Sequence, residues 1–258
     1  DDAAGLAISS RMTSQINGLN MAVRNANDAI SMVQTADGAM VEVESMLQRM
    51  RELAIQSKTE TNSSTDRTAL NTEYMSLAAE IERVAQNTQW NGTDILDNTA
   101  GSGGSVTFQV GANASQTIAI DFGDFTQASG TFAAFLTGGS AGTTAAVIGG
   151  DKSLYDSDLT GAVTTAYINT AIGAIDTAIT AVNSQRATFG ASINRLEYAT
   201  DNLANVSQNT SASRSRILDA DYASETTELA RTQIIQQAGT AMLSQANQQA
   251  QSVLALLR

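Results

Sequence analysis

The side chains that most often carry out chemistry in proteins are largely missing from this sequence. Its 258 residues include no cysteine and no histidine, which removes thiol nucleophiles, thiolate metal sites and the commonest general base and zinc ligand. The two lysines, Lys58 and Lys152, do not stand in a recognisable serine–lysine motif. We therefore expect that the protein is not an enzyme and that it carries no cofactor.

Three carboxylates in the middle of the chain are the remaining candidates for a metal site. Asp151, Asp156 and Asp158 are close in sequence, but they lack the alternating ligands and the glycine of a calcium loop. The glycines within 101–104 do not follow a strand-to-helix phosphate-binding pattern. The sequence favours a solvated acidic turn and a flexible loop, so no metal ligand is predicted.

The charge of the chain argues against two classes of partner. Fourteen Lys and Arg against twenty-six Asp and Glu give a net charge of -12, which opposes binding to the phosphates of nucleic acid or to anionic lipid. No apolar run approaches the roughly eighteen residues that a membrane-spanning helix needs. We expect no nucleic-acid partner and no membrane insertion.

The elements that would position a site are mostly long helices, which the absence of proline permits. From Met12 to Leu53 the apolar positions alternate steps of four and three, the heptad spacing of a helix seam, with a polar stutter at Asp37-Gly38. Residues 62–66 are a cluster of cap-forming residues, and a second seam runs from Leu70 to Val84. The second helix should fold back on the first.

The spacing changes in the middle of the chain and then returns to heptads. Apolar and polar residues alternate over 106–110 and 118–122, which predicts a β-hairpin. Residues from about 126 to 160 are rich in Gly, Ala and Thr, and their fold is not predicted. One heptad register runs from Ile168 to Leu203, with Arg186 and Thr200 as its polar members. This predicts a third long helix that complements the first.

The last segment, from about Asp221 to Arg258, carries more apolar surface than a lone helix can bury, so it requires a partner. Its main apolar positions are Leu229, Ile234, Met242, Val253, Leu254, Leu256 and Leu257.

A different segment, Leu47 to Gln56, places two arginines and a glutamate beside apolar residues. From physics alone this segment is a helix whose apolar seam packs while its charged side chains face water. Each ion pair between residues three or four apart would stabilise the helix by about a few tenths of a kcal/mol.

Segments at both ends of the chain resemble the bacterial flagellins, the subunits of the flagellar filament, in order and at family-like distances. They are Asp1-Asp2-Ala3-Ala4-Gly5-Leu6-Ala7-Ile8, residues 47–56, Gln86-Asn87-Thr88-Gln89-Trp90-Asn91-Gly92, Phe108-Gln109-Val110-Gly111-Ala112-Asn113, Arg216-Ile217-Leu218-Asp219-Ala220-Asp221-Tyr222-Ala223 and the ending Val253-Leu254-Ala255-Leu256-Leu257-Arg258. The resemblance covers about Asp1 to Phe122 and Thr164 to Arg258, and it leaves the middle unassigned.

The resemblance implies a mainly α fold, an elongated antiparallel coiled-coil rod of long helices with a small β-rich central region. It divides the chain into residues 1–98, the N-terminal part of the helical rod domain, and 99–163, a β-hairpin with a variable central region. Residues 164–216 then form the C-terminal part of the rod domain, and 217–258 form the C-terminal filament-core helix.

The function implied by the resemblance is that of a structural subunit which self-assembles through its paired N- and C-terminal helices for motility. The implied location is the flagellum outside the cell, reached through the flagellar export apparatus without a cleaved signal peptide. The implied partners are other flagellin subunits and the flagellar cap, junction and export-chaperone proteins. The apolar positions of the last helix become the assembly residues.

A second role is implied by four residues near the end of the first helix and on the second. Gln48, Arg49, Leu53 and Glu73 match, residue by residue, the pattern that an animal innate immune receptor reads on flagellins. The same surface packs neighbouring subunits in the filament. Sensing of the monomer and building of the polymer would therefore compete for it.

Two other functions remain open from the sequence. A hook–filament junction protein shares flagellin-like termini, although the receptor pattern and the short Gly-rich middle favour a flagellin. A flagellin-like cell-surface adhesin or glycan-binding protein would use the middle region, whose scattered phenylalanines are compatible with sugar stacking.

The start of the sequence also carries an expectation. Residues 1–6 open inside a helical pattern and lack the basic and apolar regions of a secretory signal, and the family's opening segment, which pairs with the final helix and carries the export signal, is not matched. We expect this chain by itself to be monomeric or to form irregular oligomers, with the last helix poorly held.

Overall fold

The computed structural model describes residues 3–126, 165–219 and 222–256. Four helices account for most of the described residues: α1 Ala3–Lys58, α2 Ser64–Asn87, α3 Thr165–Leu218 and α4 Tyr222–Leu256. Two short antiparallel pairs of strands lie between α2 and α3 in sequence: β1 Gln89–Trp90 with β2 Thr93–Asp94, and β3 Ser105–Gln109 with β4 Thr117–Asp121. The predicted mainly α fold with a small β region is confirmed.

The chain divides into two compact units. The larger is Ser14–Gln208, and the smaller combines Asp1–Thr13 with Asn209–Arg258. The domain limits predicted from the resemblance stay a prediction. The candidate calcium residues Asp151, Asp156 and Asp158 and the variable middle beyond residue 126 lie outside the described residues, as does Leu257.

Within the larger unit, α1 and α3 pack antiparallel along the two predicted seams. Three polar contacts fix the pairing: Ser207 Oγ donates to Asn20 Oδ1 at 3.0 Å, Arg51 Nε donates to Asp176 Oδ1 at 2.6 Å, and Arg186 lies between them. The apolar positions bury each other along this contact, as heptad spacing requires. Its fully buried side chains include Met40, Leu47, Met50 and Leu53 from α1, and Ile175, Val182 and Phe189 from α3.

The helix α2 folds back on α1, as its cap cluster predicts. Ser63 and Asp66 form a capping box, in which Asp66 N donates to Ser63 Oγ at 3.2 Å and Ser63 N donates to Asp66 Oδ2 at 3.0 Å. These two reciprocal bonds satisfy amides that the helix itself leaves without partners. The hydrogen bonds from the Ser63 side chain and backbone lower the pKa of the Asp66 carboxyl.

The β segments extend the same core. Asn91 and Gly92 both have positive φ, 50° and 78°, the conformation that a two-residue hairpin turn of the type I′ class demands. The longer hairpin, β3–β4, pairs Val106 with Ile120 and Phe108 with Ile118. Just past β4, the Phe122 ring lies 5.6 Å, centroid to centroid, from the ring of Phe189 on α3. The hairpin therefore packs against the α1–α3 pair.

A partly buried ion pair interrupts the apolar seam at Asp37-Gly38, where the heptad pattern of the sequence has polar residues. Arg186 Nε donates to Asp37 Oδ1 at 2.9 Å, and Arg186 Nη1 donates to Glu44 Oε2 at 2.6 Å. The two carboxylates are one heptad apart and so share a face of α1. Hydrogen bonding to Asp37, its largest influence, raises the pKa of Arg186, against the opposing effect of burial. The neighbouring Gly38 has open space where a Cβ would stand.

Replacing Arg186 with alanine should destabilise the larger unit by about 1–2 kcal/mol, because two partly buried carboxylates lose their common partner. Arg195→Ala is the matched control, since Arg195 lies exposed on the same helix and its loss changes the net charge equally. Thermal or urea unfolding followed by circular dichroism measures both variants. Equal unfolding free energies for the two would show that the ion pair does not stabilise the helix pair.

Candidate assembly surfaces

The first candidate surface lies where α1 and α2 pass each other near the turn that joins them. Arg49 Nε donates to Glu73 Oε1 at 2.9 Å across the two helices, and Arg49 Nη1 donates to Glu52 Oε2 at 3.0 Å along α1. The hydrogen bond to Glu52, followed by that to Glu73, raises the pKa of Arg49. Gln48, also exposed, donates from Nε2 to Glu44 Oε1 at 3.3 Å. We call Gln48, Arg49, Glu52 and Glu73 the arginine surface.

The structure places the four predicted receptor residues in two environments. Gln48, Arg49 and Glu73 are exposed, whereas Leu53 has no accessible surface and belongs to the core of the larger unit. Leu53 is thus enclosed in the core of the subunit, as the heptad spacing that put it in the seam with Met50 predicts. Its role in recognition stays a prediction.

The second candidate surface is formed by the exposed apolar side chains of α4. Leu229, Ile234 and Met242 are 58%, 66% and 69% exposed, although large apolar side chains in monomeric proteins are mostly buried. The sequence prediction did not include Leu243, which is exposed to the same degree. Its large apolar side chain, in the same helix and next to Met242, was the signal that could have identified it. Val253, Leu254 and Leu256 lie within α4.

Two further kinds of site could lie within the described ranges: a metal centre and a membrane-spanning helix. No group of three or more His, Cys, Asp or Glu side chains there is arranged to hold a metal ion. None of the described helices has the length and apolar character required to span a membrane. Clusters of exposed large apolar side chains and arginines are more frequent at surfaces that pack against other chains.

Two family models match the ends of this chain. The bacterial flagellin N-terminal helical region matches residues 1–101, and the bacterial flagellin C-terminal helical region matches residues 172–257. The chain belongs to the bacterial flagellin family. Its function is that of a structural subunit of the flagellar filament, outside the cell, and it polymerises with other copies of itself.

Flagellins of two bacilli are similar to the chain along its whole length. The flagellin of Halalkalibacterium halodurans is 45% identical over an alignment of 260 positions, gaps included, which covers all of this chain and 85% of the relative. The flagellin of Bacillus subtilis is 41% identical, again over all of this chain and 87% of the relative. Nothing in these similarities favours a junction protein or an adhesin.

A solved flagellin shares the fold. The crystal structure of Bacillus cereus flagellin superposes with a TM-score of 0.53 at 32% identity, covering 70% of this chain and 88% of that one. The family is one of structural proteins, which agrees in part with the prediction that the chain is not an enzyme.

The different burial of Leu53 and Arg49 predicts different effects of their substitution on the free energy of unfolding. Leu53→Ala should lower the free energy of unfolding by about 2–5 kcal/mol, because it leaves a cavity in a fully packed core. Arg49→Ala should leave the unfolding temperature almost unchanged, since exposed ion pairs contribute little. Urea titrations of both variants provide the comparison. Similar stability for both variants would mean that Leu53 is not a core residue.

Proposed function

We propose that α4 is the element through which this flagellin joins its neighbours, by burying the apolar side chains around it against helices of other copies. The observation that carries the proposal is the exposure of Leu229, Ile234, Met242 and Leu243. Each such side chain contributes roughly 1.5–3 kcal/mol when it is buried completely. Helices that expose this much apolar surface are stabilised mainly by packing against a partner.

The proposal includes finer points that follow from family membership. Val253, Leu254, Leu256 and Leu257 would continue the same assembly surface toward the end of the chain. The limits 1–98, 99–163, 164–216 and 217–258 would separate the rod, the central region and the filament-core helix. Cap, junction and export-chaperone proteins would be further partners, and export would proceed without a cleaved signal peptide.

Two substitutions of exposed apolar residues on α4 should abolish filaments. Ile234→Gln combined with Met242→Gln keeps good helix formers at both positions but removes the apolar contact. The gene carrying both changes should fail to restore swimming in soft agar to a strain that lacks its own flagellin, and electron microscopy should show cells without filaments.

The control pair for this experiment is Gln237→Ala with Ser244→Ala. Both residues are exposed, and they lie one heptad apart on a polar stripe of α4 between Leu229 and Ile234, because each residue turns a helix by about 100°. Swimming should be retained. Normal filaments from the Ile234 and Met242 variant would show that assembly does not depend on these apolar side chains.

We further propose that the arginine surface contacts both a neighbouring subunit and an animal innate immune receptor. The cross-helix bond from Arg49 to Glu73 supports this, because it holds a planar guanidinium in a fixed, exposed orientation. Arginine is also enriched at protein interfaces. One surface cannot contact both partners at once, so a receptor would bind the free subunit and not the filament.

Arg49→Ala should reduce receptor activation in reporter cells without unfolding the protein, because it removes an exposed side chain. Arg83→Ala is the matched control: Arg83 is also exposed and pairs with an acid on its own helix, Glu80. Activation by the Arg83 variant should equal that of the unsubstituted protein. Full activation by the Arg49 variant would count against this role of the arginine surface.

A further inference from the structure

An open groove of about 440 Å³ lies inside the larger unit, beneath the loop that joins β3 to β4. Its floor is formed by Leu19 of α1 and Leu203 of α3, which pack together with Ala22 in a small apolar cluster. Val206, on the following turn of α3, also lines the groove and is 37% exposed. We call this the hairpin groove.

The loop over the groove is held in place from both sides. A Cβ at Gly18 would stand 3.2 Å from the Cβ of Ala112, so the loop approaches α1 closely there. Asn25 Nδ2 donates to Gln109 O at 3.1 Å, and Gln109 Nε2 donates to Asn113 O at 2.6 Å. The groove is therefore formed before any partner arrives, which lowers the entropy cost of binding.

The lining of the groove is uncharged. None of the described residues that form it is ionisable, and its polar side chains are amides and hydroxyls, such as those of Gln15, Asn202 and Thr117. Tyr198, whose side chain is 77% exposed, precedes Asn202 and Val206 on one ridge of α3, because residues four apart share a helix face. The neutral surface thus continues from the groove to an exposed aromatic ring, a residue type that is enriched at interfaces.

The charge of the chain decides what kind of partner fits. With a net charge of -12, two copies repel each other, and they can pack closely only where ionisable side chains are absent or paired. A strongly basic partner would prefer the acidic surface elsewhere. An uncharged groove with an apolar floor and a border of amide and hydroxyl side chains, on a subunit that polymerises, is the kind of site that suits another copy.

We propose that the hairpin groove receives an uncharged segment of a second copy of this chain when subunits assemble. The inference rests on the proposed function, because it assigns one more contact to the same polymer. Tyr198 forms the aromatic border of that contact. The contact is separate from α4, so each can be tested alone.

Substitutions at Val206 test the contact in the chain preceded by a flagellin-type opening segment, because the chain by itself is expected to be monomeric or to form irregular oligomers. Val206→Lys lowers the net negative charge, so a loss of assembly cannot come from added repulsion between copies. The monomer concentration needed for polymerisation should rise about tenfold or more, because assembly would bury an unpaired charge. Val206→Ile, which keeps a β-branched apolar side chain, should polymerise near the unsubstituted concentration, and circular dichroism should show equal melting of all monomers.

The outcomes separate this inference from the proposed function. Polymerisation of Val206→Lys at the unsubstituted concentration overturns the groove contact and leaves α4 assembly intact. Failure of the unsubstituted protein to polymerise contradicts the proposed function, and the groove contact with it.

A chemical measurement covers the case in which Val206→Lys does not fold. Because the chain contains no cysteine, Asn202→Cys introduces a single thiol at the groove. Its rate of reaction with a maleimide should fall about tenfold or more from monomer to filament, since thiol reactivity follows exposure. Equal rates in both states, or a thiol already protected in the monomer by its own chain, would overturn the inference.

Discussion

The apolar seam between α1 and α3 is the contact on which the rest of the larger unit depends. The two helices are separated by more than a hundred residues of sequence, and α2 and both strand pairs pack onto the surface that they form together. Burial of this seam provides the driving force, because isolated helices gain little from propensity alone. The polar contacts of Arg51, Arg186 and Ser207 then select one alignment of the two helices from those that a repeating apolar pattern would allow.

Much of this architecture could be predicted from the sequence because its signals are local. Heptad spacing predicted α1, α2 and α3, the Ser63 cluster predicted the start of α2, and alternation around Phe108 and Ile120 predicted the β3–β4 pair. The partners of Arg186 could not be predicted, since periodicity defines a face without saying which residues of a distant helix lie opposite. The hairpin groove was equally inaccessible, because it depends on how closely the loop at Ala112 approaches Gly18.

The candidate surfaces show where a family resemblance and a physical pattern give different information. The resemblance grouped Leu53 with Arg49 and Glu73, whereas the spacing of apolar residues already placed Leu53 in the seam. The structure has Arg49 and Glu73 joined on the exterior and Leu53 fully enclosed beneath them. The burial of Leu53 therefore follows from its place in the seam, and the resemblance alone does not separate a core residue from an exposed one.

The glycine beside the Arg186 ion pair has a mechanical consequence. The part of α1 in the larger unit, residues 14–58, is helical throughout, about 68 Å long at 1.5 Å per residue. No neighbouring atom fills the space beside Gly38, and glycine lowers the cost of deforming a helix. The helix is therefore less stiff next to the Arg186 ion pair than in the adjacent apolar turns. Bending of α1 under load would concentrate at that point.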